Sequence, residues 1–94
     1  MLTLIVTRVD DRAFDGELRG KFGILGGTIG AMEGNTIVLP DAEGRVAALE
    51  ANVIASPQGY VIRNCGPRPL RVNGQAVANS AEAALGPGDE VTIG

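Results

Sequence analysis

Histidine and tryptophan are both absent from this sequence of 94 residues, and cysteine occurs once. Without His, the chain lacks the commonest general base of enzymes and the commonest zinc ligand. The single cysteine, Cys65, cannot form an internal disulfide and has no His to activate it as a nucleophile. We expect it to be a half-buried small residue at a strand end. The sequence therefore predicts no enzyme activity, no metal and no cofactor.

Basic residues are also few, since eight Lys and Arg stand against eleven Asp and Glu, for a net charge of -3. Nucleic-acid binding needs a basic face, and binding to an anionic membrane needs a polybasic segment. The apolar start, residues 1–6, is too short for a membrane span and is followed at once by charged residues. We predict a cytoplasmic chain with no nucleic-acid partner and no membrane contact in this segment.

The composition is that of one globular domain covering residues 1–94, with 45% hydrophobic residues. Fourteen Gly and five Pro separate short runs rich in Val, Ile, Leu and Thr, which is typical of a β-sandwich. The dipeptide Asn73-Gly74 predicts a tight hairpin turn. Only Ala42–Ala51 and Ser80–Ala84 have a helical composition, and both are too short to form helices alone. The expected strands are 2–9, 17–22, 36–39, 51–56, 60–63, 70–72, 75–77 and 90–93.

Three spaced segments, 27–41, 46–51 and 72–94, together resemble a forkhead-associated (FHA) domain. The first contains Gly27-Thr28-Ile29-Gly30 ahead of an Asn and a Leu-Pro-Asp, and the last contains Val-Asn-Gly and Leu-Gly-Pro-Gly-Asp. The residue pattern of these segments is similar to that of the FHA proteins of bacterial type VI secretion (the TagH type). The resemblance covers essentially the whole chain. It implies an all-β, FHA-like β-sandwich of the SMAD/FHA type, with recognition loops at one end.

The resemblance also implies a further strand after Gly94, so the chain would be the N-terminal domain of a longer protein. Without this further strand, Leu2–Val9 or Glu90–Ile93 would be an open sheet edge. An open edge can accept a strand from another copy, so we predict a homodimer through such edges.

FHA domains typically bind phosphothreonine, and this chain departs from the family pattern at each signature position. Ala31 stands where the family has Arg, Ala47 where it has Ser, and Glu50 where a His supports the loops. The Asn that holds the peptide backbone falls at or beside Arg68. Losing the Arg and Ser contacts would cost about 3–6 kcal/mol, or about two to four decades of affinity. Glu50 would also repel a phosphate.

We therefore predict a protein-interaction module that binds a partner without phosphate, through loops near residues 31–35, 42–50 and 64–69. Met32, Leu49 and Pro67 are expected as apolar contacts, with Arg45 and Arg68 as polar anchors. The predicted partner-binding residues are Ala31, Met32, Arg45, Ala47, Ala48, Leu49, Glu50 and Arg68.

Two other functions stay open at this point. Arg45 and Arg68 could converge on the phosphate of a phosphothreonine peptide, although solvated loop cations are the favoured interpretation of both. Degenerate FHA-like domains also occur as cytoplasmic structural parts of the inner-membrane ring of type III secretion. Asp41, Glu43 and Glu50 lack the ligand spacing of a metal site and are expected on a solvated loop face.

Overall fold

The computed structural model of this chain describes residues 2–9, 12–40, 44 and 46–93, and of residues 12–17 it describes the backbone alone. This part of the chain forms ten β-strands and no helix. The strands are β1 (Leu2–Val9), β2 (Arg12–Phe22), β3 (Gly27–Gly30), β4 (Ile37–Val38), β5 (Ala51–Ser56), β6 (Gly59–Asn64), β7 (Leu70–Val72), β8 (Gln75–Val77), β9 (Glu82–Leu85) and β10 (Glu90–Ile93).

The strands form two five-stranded sheets. Sheet 1 has the order β2-β1-β10-β7-β8, and sheet 2 has the order β4-β3-β5-β6-β9. Both are mixed, because β1 pairs with β10 and β3 pairs with β4 in parallel while the other pairs are antiparallel. Buried hydrophobic residues from both sheets form one cluster. The all-β prediction is confirmed, and the architecture is consistent with a β-sandwich.

Alternation of apolar residues explains how the strands face the core. In β1, Leu2, Leu4 and Val6 are almost fully buried, while Thr3 and Ile5 between them are partly exposed. Successive side chains of a strand point to opposite faces, so one face of β1 joins the core. The register of β1 against both neighbours shifts between Val6 and Arg8, which marks a β-bulge.

The predicted hairpin at Asn73-Gly74 is confirmed. Both residues have positive φ, 51° and 85°, and they join β7 to β8. A two-residue turn of this kind requires positive φ at both positions, which Asn and Gly tolerate best. The Asn73 side chain also donates to the Asp89 carboxylate at 3.0 Å and accepts from the Glu90 N–H at 3.0 Å. The hairpin turn is thereby tied to the turn that precedes β10.

The expectation of an open edge at the first or last strand is wrong. β1 and β10 pair with each other in parallel, from Ile5 with Glu90 to Val9 with Ile93. Both strands consequently lie inside sheet 1, whose edges are β2 and β8, while the edges of sheet 2 are β4 and β9. A homodimer through an unpaired β1 or β10 has no support in this arrangement.

The helical composition of Ser80–Ala84 does not produce a helix. Glu82–Leu85 forms β9, which pairs antiparallel with β6. Ala83 and Leu85 pack against the core cluster, whereas Glu82 and Ala84 are exposed. Burial of this alternate face outweighs the helix preference of Ala and Glu, which are good helix formers but differ from other residues by less than about 1 kcal/mol each. In the part of the chain that the structure describes, no helix is available to cross a membrane.

Candidate functional site

Three connecting segments meet at one end of the molecule, and we call residues 31–35, 46–50 and 64–69 the loop end. The first two are joined by backbone hydrogen bonds from the Ala31 N–H to the Ala47 carbonyl at 3.0 Å and from the Met32 N–H to the Ala48 carbonyl at 3.4 Å. The third joins them where the Cys65 N–H donates to the Glu50 carbonyl at 2.9 Å. Backbone hydrogen bonds thus bring together the described parts of the three predicted loops, and residues 42, 43 and 45 of the second lie outside the described residues.

Glu50 lies beneath the loop end with a side chain only 1% exposed. Its Oε2 accepts a hydrogen bond from the Ala47 N–H at 2.9 Å and another from Arg68 Nη2 at 3.0 Å. The second contact is an ion pair, in which the Arg68 side chain is 22% exposed. A buried carboxylate requires a partner charge and hydrogen bonds, and Glu50 has both. The carboxylate therefore holds the segment before β5 against the segment before β7.

Gly66 is the residue that lets the third loop approach Glu50 so closely. A Cβ placed at position 66 would overlap Glu50 Oε1. The Gly66 N–H donates to the Glu50 carbonyl at 3.0 Å and lies 3.1 Å from Asn64 Oδ1. Residue 66 must therefore lack a side chain if the carboxylate is to keep its position.

Asn64 organises the loop that carries Arg68. The residue is 1% exposed, and its amide nitrogen donates to the Arg68 carbonyl at 2.8 Å and to the Val77 carbonyl at 2.9 Å. With the Gly66 contact, both ends of the side-chain amide are satisfied. Asn64 thus fixes the backbone at Gly66 and Arg68 and ties this loop to Val77 in β8.

Exposed apolar side chains lie on the loop end and on the neighbouring strand β4. Met32 is 63% exposed, Leu49 is 42% exposed and Val38 is 45% exposed. Val38 pairs with Gly30 in the sheet, and a Cβ on Gly30 would lie 2.9 Å from the Leu49 Cα. The Met32 N–H is bonded to the carbonyl of Ala48, which precedes Leu49. We call Met32, Val38 and Leu49 the apolar patch. Large hydrophobic residues grouped on a surface commonly mark interaction sites.

Asn35 fixes the backbone under the apolar patch. Its side-chain amide donates to the Met32 carbonyl at 2.7 Å and to the Ala48 carbonyl at 2.9 Å. These bonds connect the loop after β3 to the loop before β5. Consequently, Met32 and Leu49 are presented from backbone segments that are bonded to each other.

The structure places the predicted site residues in three groups. Met32, Ala48 and Leu49 are exposed, Ala31, Ala47 and Arg68 are half-buried, and Glu50 is buried. Arg45, Asp41 and Glu43 lie outside the described residues. The sequence predicts that Glu50 contacts a partner. In the structure Glu50 is buried, so its side chain supports the loops and does not reach the surface. The predicted apolar contact Pro67 is exposed.

The structure also differs from what the sequence predicted for the charge of Glu50 and for the burial of Cys65. Glu50 is predicted to repel an approaching anion, but its carboxylate is paired with Arg68. Arg68 is therefore bound to Glu50 within the chain. Its convergence with Arg45 stays a prediction, because Arg45 lies outside the described residues. Cys65, predicted as half-buried, is exposed, with its Sγ 3.7 Å from the Arg63 carbonyl.

Sequence reasoning missed Val38 and the supporting role of Asn64. The exposure of Val38 could have been predicted from the pattern Ile37-Val38-Leu39. Side chains alternate along a strand, so when Ile37 and Leu39 face the core, Val38 faces solvent. A buried Asn has no comparable sequence pattern, since its partners come from the β6–β7 loop and from β8.

Among the described residues, no group of three or more His, Cys, Asp or Glu side chains is arranged to hold a metal ion. Comparison with known proteins adds no relative, as no family model, curated protein or solved structure matches this chain.

Proposed function

We propose that this chain is a non-catalytic protein-interaction module of the FHA type, which binds a protein partner through the loop end without a phosphate. The observation that carries the proposal is the double role of Glu50 Oε2, which accepts from both the Ala47 N–H and the Arg68 guanidinium. An internal carboxylate thereby occupies donors that a phosphate-binding site in this position would use.

A phosphate would need these donors to be released. Breaking a buried ion pair by removing one partner costs about 3–5 kcal/mol, and a phosphate of nearly two negative charges would also be repelled by the freed Glu50. Ala31 and Ala47 supply no guanidinium or hydroxyl that would offset this cost. The alternative of a phosphothreonine reader using Arg68 is disfavoured for the same reason.

With a phosphate contact disfavoured, the apolar patch is the surface that we expect a partner to bind. Met32, Val38 and Leu49 are held on hydrogen-bonded backbone, so little backbone entropy is lost when a partner covers them. Apolar side chains on such a backbone favour a protein partner that presents its own apolar residues. Following the sequence resemblance, we place this module in the cytoplasm, as part of a type VI secretion accessory protein.

A photo-activatable amino acid at Leu49 tests the proposal in cells that express the chain. The matched control places the same amino acid at Ile54, which is 37% exposed on the outer face of sheet 2. We expect Leu49 to cross-link one discrete protein whose capture survives phosphatase treatment, and Ile54 not to capture it. Loss of the product after phosphatase treatment would indicate a phosphate-dependent reader. Equal capture at both positions would show that the loop end is not the binding surface.

A second measurement addresses the phosphate directly. A phosphothreonine peptide added to the ¹⁵N-labelled chain should leave the amide signals of Ala47, Glu50 and Arg68 unchanged. Saturable shifts of these signals, absent with the unphosphorylated peptide, would contradict the phosphate-independent mode.

A further inference from the structure

The turn between β2 and β3 places two large apolar side chains in solvent. The Gly26 N–H donates to the Gly23 carbonyl at 3.0 Å, so Ile24 and Leu25 are the two central residues of a tight turn. Ile24 is 90% exposed and Leu25 is 95% exposed, the highest values among the large hydrophobic residues that the structure describes. We call Ile24 and Leu25 the knob.

The base of this turn is fixed to the rest of the molecule. The Tyr60 hydroxyl donates to the carbonyls of Phe22 at 2.9 Å and of Gly23 at 3.1 Å. Gly26 has a φ of 67°, and a Cβ at this position would overlap the Val53 carbonyl oxygen. Turns usually carry Gly, Pro, Asn, Asp or Ser at such positions. The two apolar residues of the knob stand there against local preference, and conflicts of this kind concentrate at functional sites.

A cleft of about 720 Å³ opens elsewhere on the molecule, and we call it the edge cleft. It lies between β8 and β9, which are edge strands of sheet 1 and sheet 2. The buried residues Val72 and Val77 line it, together with short apolar side chains that include Ala81 and Ala83. These short side chains leave the space between the two sheet edges unfilled. Its volume is within the range of about 300–1,000 Å³ that is typical of binding clefts.

The knob and the edge cleft lie on opposite flanks of the molecule. The knob follows β2, which is one edge of sheet 1, and the edge cleft borders β8, which is the other edge. Four strand spacings separate these two edges, a distance of about 19 Å. A contact between knob and cleft therefore joins two copies of the chain. Because the two surfaces differ, each copy offers its knob to one neighbour and its cleft to another, which is a heterologous contact.

We infer that the knob of one copy inserts into the edge cleft of a second copy, so that copies associate head to tail. The insertion removes the two most exposed large hydrophobic side chains from water. Charge also favours it over contact between like surfaces. Lys21 is exposed two residues before the turn, and Glu82 is exposed where it lines the cleft. Knob-to-knob contact would bring two lysines together and cleft-to-cleft contact two glutamates, whereas knob-to-cleft contact brings unlike charges together.

Sedimentation velocity of the whole chain at increasing concentration tests this inference. A contact centred on two side chains is smaller than a standard interface, so we expect a Kd of about 0.1–1 mM and a mass that rises beyond that of a dimer. The double variant Ile24→Ser, Leu25→Ser removes the knob and should weaken association at least about tenfold. Ala83→Leu fills the edge cleft with a side chain of the same molecule and should have the same effect. Ile54→Ser, on the outer face of sheet 2, is the control and should associate as the unaltered chain does.

Mixing the two variants distinguishes head-to-tail contact from every other mode. The serine variant keeps its cleft and Ala83→Leu keeps its knob, so the mixture should form a one-to-one pair that grows no further. The pair should have the affinity of the contact in the unaltered chain. Absence of this pair would overturn the inference, as would an unaltered chain that stays monomeric at about 2 mM, above the expected Kd.

Two further measurements cover the remaining outcomes. Binding of the unaltered chain to uncharged lipid vesicles, lost in the serine variant and without self-association, would assign the knob to a membrane and overturn the inference. If Ala83→Leu does not fold, amide signals decide. The unlabelled unaltered chain, added to the ¹⁵N-labelled serine variant, should shift the signals of Val77 and Ala83. Shifts confined to the loop end would contradict insertion into the edge cleft.

Discussion

Glu50 and Arg68 form an ion pair of 3.0 Å beneath the loop end, 18 residues apart in the sequence. The same carboxylate oxygen accepts the Ala47 N–H at 2.9 Å, so one buried atom joins two loops. In the resemblance proposed from the sequence, Glu50 takes the place of a supporting His. The pair gives a physical account of how the loops stay together in this chain.

Removing the carboxylate should destabilise the chain. Glu50→Ala leaves Arg68 and the Ala47 N–H without their acceptor, and we expect the free energy of unfolding to fall by about 3 kcal/mol. The partial exposure of Arg68 keeps this near the lower end of the range for buried pairs. Urea unfolding measures the change, with Glu33→Ala at an exposed loop position as the control. A loss at Glu50 no larger than at Glu33 would show that the pair contributes nothing.

Adding a methyl group at position 66 should disturb the same carboxylate. Gly66→Ala places a Cβ on Glu50 Oε1, and overpacking of this kind costs about 1–3 kcal/mol. The matched control is Gly23→Ala, where a Cβ would meet nothing within 4 Å. Thermal unfolding should show a lowered midpoint for Gly66→Ala alone. Part of the loss should disappear in the background Glu50→Ala, and fully additive losses would contradict the overlap.

Asn64→Ala tests the buried amide that shapes the third loop. The substitution leaves the Arg68 and Val77 carbonyls without their side-chain donor, for an expected loss of about 2–3 kcal/mol in the free energy of unfolding. Asn52→Ala, at a half-buried position in β5, is the control and should cost much less. Chemical denaturation distinguishes them. Similar losses for both variants would mean that these hydrogen bonds add no net stability.

Restoring the signature residues of the resembled family should restore phosphate binding only when the internal carboxylate is removed as well. We expect Ala31→Arg with Ala47→Ser to leave a phosphothreonine peptide unbound, because Glu50 still holds Arg68. Adding Glu50→His to this double variant should give binding that calorimetry detects in the micromolar range, about 8 kcal/mol. Binding by the double variant alone would show that Glu50 does not block the site.

Local patterns predicted much of the strand arrangement. The limits of β1, β5, β7, β8 and β10 follow from apolar alternation and from the turns between them, and the structure has them at the expected residues. The sequence did not predict β9, because Glu82–Leu85 is a strand only by virtue of pairing with β6. The sequence predicted that β2 begins at Glu17, whereas in the structure this strand begins at Arg12.

The sequence by itself determined which residues alternate into a core and where Asn73-Gly74 turns, because each depends on residues adjacent in the chain. Tertiary structure alone decided that β1 pairs with β10 and that Glu50 faces Arg68. These relations join residues far apart in the sequence, and their energies exist only once burial and strand register have placed the groups side by side.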